Sequence, residues 1–348
     1  MSTVFHLFSL PYLPLKRVLD NVGPEALLYI SLCSRRAKNV AVSYKGPSKN
    51  VQLNVHFGHK NCLSYMEGVD IYWLLNVQKR SNLSYVDRNL ATVRIGNFCG
   101  IPVEMGELGM NTYWDDCMVG ITEIGDHARE IFNQDFYEVC VYDKQEDGDH
   151  RRAAEWIKNS QGKIQSLHCD FKPQIDNDLD FILENVEYTR MLSLHVNPPP
   201  NYHPAKPPNF SIDFVYMIFS FWIKQDHLLT MNCEYIVLQD SKLSSQDFNA
   251  FLKHWMAGDC SKLKLLRVDV EELIDYQIVL DGAEFVKRER DVARVYVDEE
   301  EHHHTIRGGF DAKRPSDNVT ATITNGGQIS KFFLMIVWPD SAENSYED

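Results

Sequence analysis

The chain has 348 residues, 44% of them apolar, and a formal net charge of −14. That apolar share excludes wholesale disorder and supplies core for more than one folding unit. The negative balance argues against non-specific binding to DNA, RNA or an anionic membrane surface, all of which repel it.

The N-terminal stretch from Phe5 to Gly46 is dense in apolar residues. Leu10, Leu13, Leu15, Val18, Leu19 and Val22 precede Leu27, Leu28, Ile30, Leu32 and Val40, and three short helices fit this spacing. Pro14 suits the first turn of the first helix, Gly23-Pro24 closes it and opens the second, and Ser34 caps the third. A segment of about 40 residues rarely supplies enough core to stand alone. Its surplus apolar surface is therefore expected to meet another surface, in this chain or another. With no basic run ahead of it and with Pro11 and Pro14 inside it, the segment is a poor signal peptide. No uninterrupted apolar run has the length of a membrane span.

Gly46-Pro47-Ser48-Lys49-Asn50 reads as a linker. A β-rich region is expected over 51–120. In Val51–Phe57 the residues Val51, Leu53, Val55 and Phe57 share one face, and Gln52, Asn54 and His56 the other. Ile71–Val77 and Leu90–Ile95 are further strands, with Gly96, Gly100, Gly106 and Gly109 as turn markers.

Over 121–338 strands and helices alternate. Helices are expected at Ile121–Gln134, Arg151–Ser160, Leu179–Val186 and Ser245–Trp255, and an aromatic helix at Phe214–Ile223. Strands are expected at Phe136–Tyr142, Ile164–Cys169, Met191–Val196, Tyr235–Leu238 and Leu263–Val268. Leu167, Leu194, Leu238 and Leu266 hold equivalent places in successive strands, which suggests an irregular, leucine-rich-repeat-like segment with parallel strands, interrupted by the proline-rich loop from Pro198 to Pro208. Phe248, Phe251, Leu252 and Trp255 form one core-facing stripe. The C-terminal part reads as antiparallel hairpins, with extended runs at Thr305–Arg307, Gly309–Lys313, Thr320–Thr324 and Phe332–Trp338 and turn chemistry at Asn325-Gly326-Gly327. Residues 339–348 form an acidic tail. The fold class is thus α+β with an α/β portion: a three-helix module (5–46), a β-rich layer (51–120), and a repeat-like β/α segment closed by hairpins (121–338).

Two sets of these residues resemble known families. Leu10-Pro11-x-Leu13-Pro14-Leu15-x-x-Val18-Leu19, followed by Pro24-x-x-Leu27-x-x-Ile30-Ser31-Leu32-Cys33-Ser34-Arg35, resembles an F-box. Asn232-Cys233-x-x-Ile236-x-Leu238, Ser244-x-x-Asp247-x-x-x-Phe251-Leu252-Lys253-His254-Trp255, Arg307-Gly308-Gly309-Phe310-Asp311-x-Lys313-Arg314 and Phe333-x-Met335-Ile336-Val337-Trp338 resemble the F-box-associated (type 2) domain of nematode F-box proteins, over about 230–338. The resemblance implies a substrate-recognition subunit of an SCF-type cullin-RING ubiquitin ligase, with the Skp adaptor and through it a cullin as partners. Leu10, Pro11, Leu13, Pro14, Val18, Leu19, Leu28 and Leu32 are the residues expected to meet the adaptor or to fill the module's own core. The protein target and the residues that hold it are not readable, because the family carries no defined substrate residues.

No catalytic motif stands out, and neither cofactor nor metal is expected. The eight cysteines include no C-x-x-C pair, which points to a reducing compartment, cytoplasmic or nuclear, rather than to disulfides or zinc. His302-His303-His304 follows the acidic run Asp298–Glu301 and reads as a charged loop, since consecutive histidines splay. Cys140 with His150, or Cys169 with His168, would be needed for thiol chemistry. Tyr202, Trp222 and Trp255 would be needed for an aromatic groove. The alternatives are an adaptor-binding protein that delivers nothing for ubiquitination and a stand-alone α/β hydrolase.

Overall fold

The computed structural model describes residues 7–83, 90–172, 177–297, 303–324 and 331–338. Phe5, the acidic run with His302, the Asn325-Gly326-Gly327 turn and the acidic tail lie outside the described residues. The chain divides into two compact units. The first runs up to Phe171 and includes Asn177–Glu187, and the second takes the chain from Tyr188 onward with the short piece 172–176. Secondary structure is mixed α and β.

The first unit opens with three helices, α1 (Tyr12–Asn21), α2 (Pro24–Leu32) and α3 (Arg35–Ser43). Pro24 occupies the first turn of α2, and Ser34 caps α3 by accepting a hydrogen bond from the Ala37 amide at 3.1 Å. Gly23 does not close α1 as expected. Its φ is −69°, and it serves as the N-cap of α2, while α1 ends on extended Val22. The stretch expected as a linker is a structured joint. Pro47–Lys49 forms one 3₁₀ turn, and the buried Ser48 hydroxyl donates to the Leu19 carbonyl at 3.1 Å.

The sheet follows: β1 (Gln52–Phe57), β2 (Cys62–Glu67), β3 (Asp70–Lys79), β4 (Ala91–Ile95), β5 (Phe98–Gly106) and β6 (Gly109–Trp114), then α4 (Cys117–Phe132), β7 (Phe136–Tyr142), α5 (Asp149–Ser160), β8 (Lys163–Asp170) and α6 (Asp178–Asn185). Strand order is β4-β5-β6-β3-β2-β1-β7-β8. The hairpins pair antiparallel, whereas β1–β7, β7–β8 and β3–β6 are parallel. Leu53, Val55 and Phe57 are buried as the alternation required, and the Phe57 ring meets Trp156 of α5 edge to face at 5.8 Å. Ile121, Ile124, Ala128 and Ile131 of α4 are fully buried, three helical turns of one apolar face.

The second unit contains β9 (Glu187–Leu194), β10 (Phe214–Met217), α7 (Gln225–Thr230), β11 (Tyr235–Ser241), α8 (Ser245–Met256), β12 (Leu265–Val270), α9 (Tyr276–Val279), β13 (Phe285–Val297), β14 (His303–Lys313), β15 (Thr320–Thr324) and β16 (Phe332–Val337). Strand order is β9-β10-β11-β12-β16-β15-β14-β13. The first three pairings are parallel and those from β12 onward antiparallel. The aromatic helix expected at Phe214–Ile223 is not there. Val215 and Met217 are buried while Phe214 and Tyr216 are half-exposed, a period of two, and Phe214 stacks on Tyr235 of the neighbouring strand at 4.7 Å. The two short runs expected at 305–307 and 309–313 are one strand, β14.

Candidate partner-docking site

The eight residues singled out in the N-terminal helices fall into three groups. Leu19, Leu28 and Leu32 are 2%, 0% and 4% exposed and face inward. Leu10 and Val18 are half-buried, and Pro11, Leu13 and Pro14 are exposed. Leu15 and Leu19, four residues apart, share the buried face of α1, whereas the residues at its start, 11–14, are all exposed. Tyr12, which the motif passes over, is 73% exposed, and Leu13 is 71% exposed. Pro11, Tyr12, Leu13 and Pro14 therefore form a contiguous apolar rim at one end of α1. Its only available sequence signal was position, on a helix's first turn ahead of the residues that repeat inward.

The rim stands on a rigid base. Lys16 and Asp20 pair at 2.7 Å, one helical turn apart, and the Tyr44 hydroxyl donates to Asp20 at 2.9 Å. Tyr29 of α2 donates its hydroxyl proton to the Leu74 carbonyl at 2.9 Å and accepts from the Met110 amide at 3.1 Å. Ser31 Oγ lies 2.7 Å from His127 Nε2 of α4, and Lys38 pairs with Glu130 at 2.7 Å. Ser31 also donates to the Leu28 carbonyl at 2.5 Å, so its oxygen accepts from Nε2–H. Burial pushes the His127 imidazole down to about 4, which keeps it neutral.

In the second unit, the matched sequence motifs become one packed element pair and one polar hub. Ser244 caps α8 in a capping box, with its amide donating to Asp247 at 2.7 Å. Phe248, Phe251, Leu252 and Trp255 are all fully buried, and Phe248 stacks on Phe333 of β16 at 4.3 Å. Asp311, at the centre of the Gly-Gly-Phe-Asp motif, accepts from Arg294 at 2.5 Å, Arg288 at 2.7 Å and the Thr322 hydroxyl at 2.7 Å. Trp338 donates its indole N–H to Thr322 at 2.7 Å, and the Arg294 guanidinium lies 4.7 Å from the Trp338 ring centre. Gly309 has a φ of +113°, and a Cβ there would stand 2.7 Å from the Ile323 carbonyl, so the motif needs glycine at that point.

The pairs considered for catalysis are not assembled. The Cys140 thiol is raised well above its ordinary range by burial, and the His150 ring is already engaged, with Nε2 2.8 Å from the Tyr142 carbonyl and Nδ1 3.2 Å from Asp178. Burial also raises the Cys169 thiol, which is fully enclosed. Trp222 and Trp255 are buried, and Tyr202 meets Trp222 edge to face at 5.5 Å, which is packing rather than an open groove. Among the described residues no helix is long and apolar enough to cross a membrane.

Sequence reasoning passed over one concave feature of the first unit. A cavity of about 590 Å³ is lined by Ser31–Arg35 and Lys38, by Thr92–Arg94, Gly96 and Gly100 of the β4–β5 hairpin, and by His127. Its parts lie far apart in sequence, and only the basic residues flanking Ser34 hinted at it.

Residues 206–268 match a family model described as F-box associated. The match begins ahead of the span expected near 230 and ends before the C-terminal hairpins. The chain is similar to three Caenorhabditis elegans proteins. It is 26% identical over 230 residues to the Skn-1 dependent zygotic transcript 15 protein, covering 62% of this chain and 61% of that one. It is 31% identical over 70 residues to the E3 ubiquitin-protein ligase hecw-1, covering 20% of this chain and 6% of that one. It is 20% identical over 290 residues to an uncharacterized protein, covering 79% of this chain and 64% of the relative. The chain thus spans less than two thirds of the length of each of these relatives. No solved structure matches it. Residues 206–268, which run from the proline-rich loop through β10, β11 and α8 into β12, are thus similar to F-box-associated domains.

Proposed function

We propose that this chain is a substrate-recognition subunit of an SCF-type cullin-RING ubiquitin ligase: α1–α3 dock on the Skp adaptor as an F-box, and the F-box-associated region selects a protein target. The observation that carries the reading is the F-box-associated match at 206–268 in a chain whose N-terminal helices present an apolar rim, Pro11–Pro14, to solvent. Leu10 and Val18 border the rim and belong to the same docking surface, while Leu19, Leu28 and Leu32 hold the helices together behind it. The chain supplies no chemistry of its own in this reading. Tethering a target beside a ubiquitin-charged enzyme raises the effective concentration of its lysines, and proximity does the rest. The strand–helix alternation of β7–β8 and β9–β12 is consistent with a leucine-rich-repeat-like scaffold. Free cysteines throughout suit a cytoplasmic or nuclear setting.

The test is co-purification of the full chain with the Skp adaptor, comparing wild type with Tyr12→Ala/Leu13→Asp. Both side chains are exposed, so the variant folds with an unchanged melting curve. Truncation of two rim anchors is expected to weaken adaptor capture by about 100-fold, the consequence of about 2–3 kcal/mol at an interface centre. Capture equal to that of wild type overturns the assignment.

A further inference from the structure

We propose that the open end of the β2–β3 hairpin in the first unit takes up, as an added strand, an extended segment of another protein that alternates apolar with lysine or arginine side chains. β3 pairs with β2 from Asp70 onward, whereas its pairing with β6 begins only at Leu75. Among the described residues, Asp70–Trp73 therefore have a strand on one side and none on the other. Such an edge presents unpaired N–H and C=O groups, a template for one more strand. Free edges are commonly blunted by lysine or proline, and this stretch contains neither. The free lane runs in line with β6 and stops at the β5–β6 turn. That turn is tied to β3, because the Asn76 side-chain amide donates to the Leu108 carbonyl at 2.6 Å.

The side chains around this edge specify what the added strand carries. Val69 is 92% exposed, and Ile71, Tyr72, Met105 and Leu108 are also exposed, so apolar surface faces water on both hairpin tips. Glu67 and Asp70 stand directly opposite each other across the β2–β3 ladder, where like charges repel. Neither has an ion-pair partner among the described residues. Glu107 is exposed in the neighbouring turn. Tyr65 stacks on Tyr72 at 5.0 Å. Burial, and after it the charges of Glu67 and of Glu25 on α2, raise the Tyr65 hydroxyl, so both carboxylates lie close to this edge. The three stretches that meet here, 18–34, 61–78 and 95–128, contain no lysine or arginine at all. They are joined through Tyr29, which bonds the Leu74 carbonyl and the Met110 amide. An apolar strand edge with uncompensated negative charge fits an extended cationic segment: main-chain bonds give affinity, and the alternate side chains give selectivity. An acidic segment, or a second copy of the same edge, is repelled.

Calorimetric titration of the full chain at pH 7 with a short peptide alternating lysine and valine, beside one alternating glutamate and valine, tests the assignment. The lysine–valine peptide is expected to bind saturably and to weaken as salt is added, and the glutamate–valine peptide to bind at least about tenfold more weakly. Glu67→Gln/Asp70→Asn should lower affinity for the lysine–valine peptide by about tenfold. Both side chains are exposed and the change removes a like-charge pair, so the variant stays folded with an undiminished melting temperature. A second readout needs no substitution: bound peptide should slow hydrogen exchange of amides within Asp70–Trp73 of the wild-type chain. No saturable binding, equal binding by the double variant, a glutamate–valine peptide that binds as tightly, or unchanged exchange at Asp70–Trp73 each overturns the proposal. So does sedimentation showing that the wild-type chain dimerises and the double variant does not. None of these results bears on adaptor capture by the Tyr12–Leu13 rim.

Discussion

Two buried histidines give the first unit a pH limit. His56 is 4% exposed on β1, between the rings of Trp73 at 5.1 Å and Tyr142 at 6.0 Å, with Nε2 2.9 Å from Ser64 Oγ. His127 is enclosed behind α2. Burial pushes both imidazoles down to about 4. In the unfolded chain each takes a proton near pH 6.5, so between pH 6.5 and 4 the unfolded state binds more protons than the folded one. Stability therefore falls as pH drops through that window and levels off below it for these two groups. At pH 5 the loss is on the order of 2 kcal/mol per histidine. Urea melts at pH 7 and pH 5 are expected to show it, with His56→Gln flattening the slope by about half. A slope unchanged in His56→Gln would mean that His56 does not carry its share. The alternation of β1 marked Asn54 and His56 as the polar face, and polar they are. It did not reveal that both would be covered, at 1% and 4% exposure. A period of two reports which side a residue takes, not what lies above it.

At the scale of elements, α4 shows how two glycines set a helix's position. A Cβ on Gly120 would stand 2.6 Å from Trp114 Cγ, and one on Gly125 would stand 2.6 Å from Trp156 Cη2. Both contacts are with rigid indoles rather than flexible side-chain ends. Replacing a mid-helix glycine with alanine gains about 1 kcal/mol of helix propensity. Overpacking a close-fitted core costs about 1–3 kcal/mol. Gly125→Ala is therefore expected to be net destabilising by up to about 2 kcal/mol, and Gly120→Ala likewise, measured as a fall in denaturation midpoint at constant slope. A stabilised Gly125→Ala would show that Trp156 moves freely. The helix itself was legible: the expected Ile121–Gln134 differs from Cys117–Phe132 mainly at its start, where Asp116 caps it by accepting from the Met118 amide at 2.8 Å. β7 was legible to the residue. β13 was not, because Lys287-Arg288-Glu289-Arg290-Asp291 reads as solvated charge. Its strand character depends on β14, where Asp311 pairs with both Arg288 and Arg294 from across the hairpin. That compensation comes from residues 17 and 23 positions away, beyond the reach of a local pattern.

At the scale of the whole molecule, the order of strands was the least legible property. Hydrophobic periodicity marks β3 but not β6, and nothing local says that the two pair in parallel, with Leu75 opposite Met110. That pairing is where α2 attaches, because the Tyr29 hydroxyl bridges the Leu74 carbonyl and the Met110 amide. The N-terminal helices are thus part of the first unit's fold as well as the carrier of an exposed rim, and the two roles separate experimentally. Removing residues 1–50 strips Leu74 and Met110 of their Tyr29 bonds, leaves His127 without Ser31 and releases Glu130 from Lys38. It also discards fully buried leucines, each worth roughly 1.5–3 kcal/mol on burial, against a total domain stability of about 5–15 kcal/mol. The truncated chain is expected to lose hydrogen-exchange protection in β3, β6 and α4 and to unfold at lower urea, while the second unit's β11, α8 and β12 keep theirs. Leu13→Asp in the full chain should leave protection unchanged everywhere, because that side chain covers nothing. If the truncated chain kept full protection in β3 and α4, the helices would be a detachable module, and deletion would then be as clean a probe of adaptor docking as the point substitution.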